Sequence, residues 1–205
     1  MVKTKLDLKK EQKEIFNVKQ HQYKKVTCPK SYYIAIDGKG NPNGNEEYMN
    51  KIGALYKVAY GLKMKYKKYD LDFVVMPLSG LWWTENMKNF ENEPKENWLW
   101  TMMIQIPKYL EKDEFNKMKI SLKDEEMYKY VSKIYFAEFE EEEAFETLYI
   151  GAYKDEGSTI KKLHETILEE GYKLCGKHHE IYLSDPRKVE ESKLKTIIRQ
   201  SAARI

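Results

Sequence analysis

Twice along this chain an extended run rich in β-branched and aromatic residues ends at a glycine, and a stretch with apolar residues at helical spacing follows. In the first half Ser31-Tyr-Tyr-Ile-Ala-Ile-Asp37 stops at the turn-dense Gly38-Lys-Gly-Asn-Pro-Asn-Gly44. Asn45 then supplies an N-cap, Glu46 and Glu47 suit the positive end of a helix, and Ile52, Leu55, Ala59, Leu62 and Tyr66 mark one face. In the second half Ala144-Phe-Glu-Thr-Leu-Tyr-Ile150 reaches Gly151. A helix from Ser158 to about Glu170 follows, with Ile160, Leu163, Ile167 and Leu168 on one face and Gly171 as its stop. Strand, glycine-bearing turn, amphipathic helix and further strand, repeated in that order, restrict the chain to an α+β fold. Its helices are expected on one face of an antiparallel sheet, and the repetition points to an internal duplication.

Other segments fit this frame. Phe73-Val-Val-Met76, Gly80-Leu-Trp-Trp-Thr84, the run 98–106 closed by Pro107, and Ile134-Tyr-Phe-Ala-Glu-Phe139 read as extended, with a polar loop over 89–97 and one or two helices within 111–133. His178-His-Glu-Ile-Tyr-Leu183 reads as the last strand. Residues 1–28 are charged, with sparse apolar positions at Leu6, Leu8, Ile15 and Phe16, and are expected as an arm. Residues 29–205 are expected as a single domain made of two pseudo-repeats.

Composition excludes several functions. With 205 residues and 41% hydrophobic content the chain can bury a core, and Lys+Arg of 36 against Asp+Glu of 33 nearly cancel. That balance argues against direct nucleic-acid binding, which needs basic residues gathered on one face. No run is long enough to span a membrane, so no membrane partner and a cytoplasmic location are expected. Cys28 and Cys175 lie far apart and outside any Cys/His cluster, so neither a disulfide framework nor a metal site is expected. The 38–44 turn lacks the spacing of a phosphate loop, and no cofactor is expected. The acidic run 140–143 reads as a solvated hairpin tip.

Candidate chemistry centres on the strand at 178–183. Alternation places His178, Glu180 and Tyr182 on one face and His179, Ile181 and Leu183 on the other. Such a stripe is either a carboxylate and a phenol facing a pocket or a solvated sheet face over an apolar one. The tryptophans bear on the choice. Trp98 and Trp100 share a face with Met102 and Ile104, and Trp82 and Trp83 occupy opposite faces of their segment. Aromatic walls stack on flat ligands and attract cations, and a buried carboxylate completes the charge match. Trp83, Trp100, Met102 and Tyr149 are the wall candidates, and His178 is a further ligand-binding candidate.

Several stretches together resemble the GyrI-like small-molecule-binding proteins, in the stand-alone branch without a DNA-binding domain. They are Ser31-Tyr-Tyr-Ile-Ala-Ile-Asp-Gly-Lys-Gly-Asn-Pro-Asn43, Tyr60-Gly-Leu-Lys63, Met76-Pro-Leu-Ser-Gly-Leu-Trp-Trp83, Trp100-Thr-Met-Met103, Lys177-His-His-Glu-Ile-Tyr-Leu-Ser-Asp-Pro-Arg187 and Lys193-Leu-Lys-Thr-Ile197. The resemblance runs from about residue 29 to the end. It implies a duplicated, SHS2-like strand-helix-strand-strand unit whose copies meet around a central ligand cleft. It also implies binding of flat aromatic or cationic small molecules between aromatic walls over a buried glutamate, which falls here on Glu180. Some stand-alone members act as hydrolases that open the cyclopropane of DNA-alkylating natural products and so detoxify them. On that pattern the ligand stacks between Trp83 and Trp100, and Glu180 is the base that activates water. Tyr182 orients that water and His178 holds the carboxylate. The alternative is a non-catalytic multidrug-binding or sequestering protein in which Glu180 is only a counter-charge.

Overall fold

The computed structural model describes residues 5–85 and 93–205. The first part of the polar loop expected over 89–97 and the start of the expected arm lie outside the described residues. In chain order the elements are α1 (Leu8–Glu11), α2 (Lys13–Phe16), β1 (Lys24–Cys28), β2 (Ser31–Lys39), α3 (Glu46–Lys67), β3 (Leu78–Trp83) and β4 (Leu99–Ile106). They continue with α4 (Lys112–Ser121), α5 (Tyr128–Val131), β5 (Tyr135–Phe139), β6 (Glu142–Ile150), α6 (Gly157–Glu169), β7 (Tyr172–Tyr182) and β8 (Lys195–Arg204). The class is the expected α+β with antiparallel strands, and strand-helix-strand-strand occurs twice, as β2-α3-β3-β4 and β6-α6-β7-β8. Among the described residues no helix is long and apolar enough to cross a membrane.

The chain divides into two compact units. The first gathers the described residues of Met1–Glu11, Ser31–Met76 and Thr84–Phe139. Here β2 pairs antiparallel with β4 on one side and β5 on the other, and α3 lies against β2 and β4. The Asn45 side chain accepts a hydrogen bond from the Tyr48 backbone N–H at 3.1 Å, which caps α3 as its sequence requires. Ala54, Leu55, Val58, Ala59, Leu62 and Tyr66 are its buried face. The segment Phe73-Val-Val-Met76 is not a strand: Phe73 makes one isolated parallel bridge to Leu6, and Pro77 follows at once.

Pairing of β2 with β4 sets Gly38 opposite Trp100. A Cβ on Gly38 would stand 2.0 Å from Cη2 of the Trp100 indole, so only a glycine lets the ring lie across β2. The indole Nε1 donates to the Gly40 carbonyl at 3.2 Å, and Tyr48 packs edge-on with ring centroids 5.0 Å apart. Gly38 therefore serves close approach, while Gly40 and Gly44, with φ of 94° and 67°, make the turn.

The second unit is Gln12–Lys30, Pro77–Trp83 and Glu140–Ile205. Its strands are all antiparallel, in the order β1-β6-β8-β7-β3. On one face α6 buries Leu163 and Ile167 against Phe145, Tyr172, Ile198 and Ala202. Leu168, expected on that buried face, is 55% exposed because it lies about 100° round the helix from Ile167.

The opposite face is covered by part of the segment expected as an arm. Ile15 and Phe16 pack on Val26, Cys28 and Ala144, and Val18 joins Ile181 and Ile197. Residues 24–28 are an edge strand, with Val26 and Cys28 buried and Lys24 and Lys25 paired to Glu146 and Glu143. The lysines mask its apolar alternation. The strand at 178–183 is not the last: it belongs to the longer β7, and β8 follows at the centre of the unit's sheet. Buried on both faces, β8 shows no alternation, which is why it escapes a pattern reading.

Candidate active site on the second unit's sheet

Register defines the two faces of this sheet. Across β6, β8, β7 and β3 one row runs Phe145, Gln200, His178, Trp82, and the next Thr147, Ile198, Glu180, Gly80; a third holds Tyr149, Thr196 and Tyr182. Phe145 and Ile198 contact α6, so these three rows share the helix-covered face. His178, Glu180 and Tyr182 thus point the same way, as alternation requires, and His178 and Glu180 are buried.

Glu180 is 7% exposed, and its carboxylate Oε1 lies 3.2 Å from His178 Nε2. A buried carboxylate needs hydrogen-bond partners, and the histidine two residues earlier on the same face supplies one. Across the strand pair Glu180 faces Gly80, a residue with no side chain. On either side of that pair stand Trp82 and Tyr182, whose side chains meet over it: the indole Nε1 donates to the phenol oxygen at 3.0 Å. Tyr153 packs edge-on to Tyr182 with ring centroids 5.6 Å apart. Local backbone form places these groups. Between Leu174 and His178 the β7–β8 register shifts at Gly176, whose φ is 67°, and regular pairing resumes at His178. The result is a carboxylate–imidazole pair beside two hydrogen-bonded aromatic rings. It can take a proton from water or neutralise a cation.

The other candidates lie as follows. Trp83 is on the opposite face from Glu180, with Lys177 Nζ over its ring at 3.2 Å from the centroid. Trp82 is the tryptophan that shares the Glu180 face, and only the β3–β7 register distinguishes the two. Tyr149 is on the Glu180 face, but its hydroxyl donates to the Ala152 carbonyl at 2.9 Å and its ring lies over Gly151. Trp100 and Met102 belong to the first unit, are 1% and 0% exposed, and pack there with Tyr48. Among the described residues no group of three His, Cys, Asp or Glu side chains can hold a metal ion.

The reverse face carries a buried ion network that the reading of 140–143 as a solvated tip did not anticipate. The chain turns at Glu142, with φ of 50°, and Glu141 is carried inward to 8% exposure. Arg199 Nη1 donates to Glu141 at 3.1 Å, while Nε and Nη2 both donate to Glu146, at 3.0 and 2.8 Å. Arg199 Nη2 also donates to the Ile15 carbonyl at 3.0 Å, and His179 Nδ1 lies 3.0 Å from Glu141. Burial by itself pushes the Glu141 carboxyl up, but His179 and Arg199 outweigh it and hold it at about 2. Burial pushes Glu146 up against the pull of Arg199 and Lys24.

A depressed carboxyl stabilises the fold above its unfolded value and loses that contribution as the pH falls through its folded value. The Glu141 contribution, of order 3 kcal/mol, is therefore full above about 4.5 and lost on acidification towards about 2. Urea unfolding measured across that window is expected to show a shallower acid-side loss in Glu141→Gln than in the parent. Equal slopes would contradict the assignment.

Known structures carry the same fold. A conserved protein from Listeria innocua is 32% identical, with a TM-score of 0.88, over 97% of this chain and 100% of that one. Two structures of hydrolases from the same organism are 30% and 31% identical, with TM-scores of 0.84 and 0.85, over 97% and 98% of this chain and 100% of each. No match was found among curated proteins. The GyrI-like small molecule binding domain matches residues 21–200, a span that takes in β1, the first strand-helix-strand-strand passage, the second as far as the middle of β8, and the Glu180 strand, and the chain belongs to that family.

Proposed function

We propose that this protein binds flat, apolar or cationic small molecules on the Glu180 face and hydrolyses those that carry a strained cyclopropane, as DNA-alkylating natural products do. The observation that carries the reading is the buried Glu180–His178 pair beside the Trp82–Tyr182 bridge. The hydrolases from Listeria innocua at about 30% identity support it.

In the proposed step Glu180 takes a proton from water as the water oxygen bonds to the less hindered ring carbon. The ring C–C bond breaks, and its electron pair passes into the conjugated carbonyl system, forming a phenolate that is then protonated. His178 holds the carboxylate by its hydrogen bond, and Tyr182, fixed by Trp82, orients the water. Strain release provides the driving force, and correct placement of water and ligand lowers the remaining barrier.

The test is incubation of a cyclopropane-bearing alkylator with parent protein and with Glu180→Gln, followed by chromatography and mass spectrometry. The parent is expected to form the water adduct, and the variant to lose at least ~100-fold in rate, the scale of a removed general base. A neutral flat ligand should bind both. Intact compound with both proteins would overturn hydrolysis. Selective loss of cationic ligands by the variant would then identify a binding protein with Glu180 as counter-charge.

A further inference from the structure

We propose that Thr147 and Thr196 hold an internal water on the Glu180 face and that this water is the one delivered to the carboxylate. The second half rests on the hydrolytic reading above.

Both threonines are 0% exposed, and among the described residues neither hydroxyl oxygen has a hydrogen-bond partner. Neither is a turn residue: Thr147 is inside β6 and Thr196 inside β8. A buried hydroxyl without a partner is unfavourable beside the isosteric valine, and two of them on one sheet face call for something polar between them.

Register brings the two together and links them to the site. Thr147 pairs with Ile198 and Tyr149 with Thr196, so the threonines are diagonal neighbours. Glu180 pairs with the same Ile198, and Tyr182 with Thr196, so Thr196 is also diagonal to Glu180 and directly beside Tyr182. Diagonal neighbours stand roughly 7–8 Å apart at the backbone and closer at their side-chain tips, a gap that one water can bridge. An enclosed water needs two to four polar partners. The two hydroxyls supply two, and the Glu180 carboxylate, diagonal to Thr196 on the same face, is placed to supply a third. The occupant is water rather than part of a larger ligand because neither threonine has surface that such a ligand can reach. Thr196 is thus a positioning residue, acting through the water it holds.

A crystal structure of the unliganded parent, at a resolution that shows ordered solvent, is the direct test, with Thr196→Val beside it. A water within hydrogen-bond distance of both hydroxyls in the parent, gone in the variant, is expected; a dry site in the parent overturns the proposal. In hydrolysis of a cyclopropane-bearing alkylator, Thr196→Val should lower kcat by about tenfold or more with KM unchanged, as loss of nucleophile positioning does. Thr196→Ser should retain the rate. A Thr196→Val variant that turns over like the parent overturns the delivery role even if the water is present. No turnover in the parent overturns the hydrolytic reading and the delivery role together, and the crystallographic result then decides the water site by itself.

Discussion

Replacing Arg199 with leucine is expected to cost about 3–5 kcal/mol, the scale seen when a buried ion pair loses one partner. Leucine fills much of the space but leaves the Glu141 and Glu146 carboxylates without the guanidinium they share. Both residues are buried, at 8% and 0% exposure, so solvent cannot replace the lost donors. The Ile15 carbonyl also loses its donor, which loosens residues 12–20 from the sheet they cover. Total stabilities near 5–15 kcal/mol leave little margin for such a loss. Urea unfolding followed by circular dichroism measures it. Arg199→Lys should recover only part, because one ammonium cannot span two carboxylates as the guanidinium fork does. A loss below about 1 kcal/mol for Arg199→Leu would mean the network behaves as a solvated surface pair.

Truncating Trp100 to alanine is expected to destabilise by about 3–5 kcal/mol, as for other buried tryptophans. The indole is 1% exposed, packed on Gly38 and Tyr48, with Lys51 Nζ 5.1 Å from its ring centroid. Gly38→Ala should cost about 1–3 kcal/mol by overpacking, because the added methyl meets the ring. The two effects should not add. Once Trp100 is alanine the methyl at position 38 meets no ring, and the Gly38→Ala cost should largely vanish. A double-mutant cycle by thermal or urea unfolding measures the coupling. Strict additivity would show that Trp100 does not rest on Gly38, and would return the ring to its candidacy as a ligand wall.

Much of the fold was legible because its signals are local. Asn45, Glu46 and Glu47 marked the start of α3, and its apolar spacing anticipated the buried face from Leu55 to Tyr66. Alternation placed His178, Glu180 and Tyr182 together on one face, where the register puts them. The misreadings came from positions whose surroundings are remote in sequence. Lys24 and Lys25 hid a strand because their partners lie on β6. Arg199 and Gln200 in β8 are polar yet buried, because their partners come from β6, β7 and the 140–141 turn. Four consecutive glutamates looked solvated until Arg199 and His179 turned out to face one of them.

The sequence by itself therefore determined the α+β class, the repeated strand-helix order and the common face of His178, Glu180 and Tyr182, since periodicity and capping depend only on neighbouring residues. Tertiary structure decided that Trp82 rather than Trp83 joins Glu180, that Glu141 is buried, and that residues 12–20 cover a sheet face. A one-residue change of register exchanges the faces of a strand, and a charge can be buried only where a partner from elsewhere in the chain meets it.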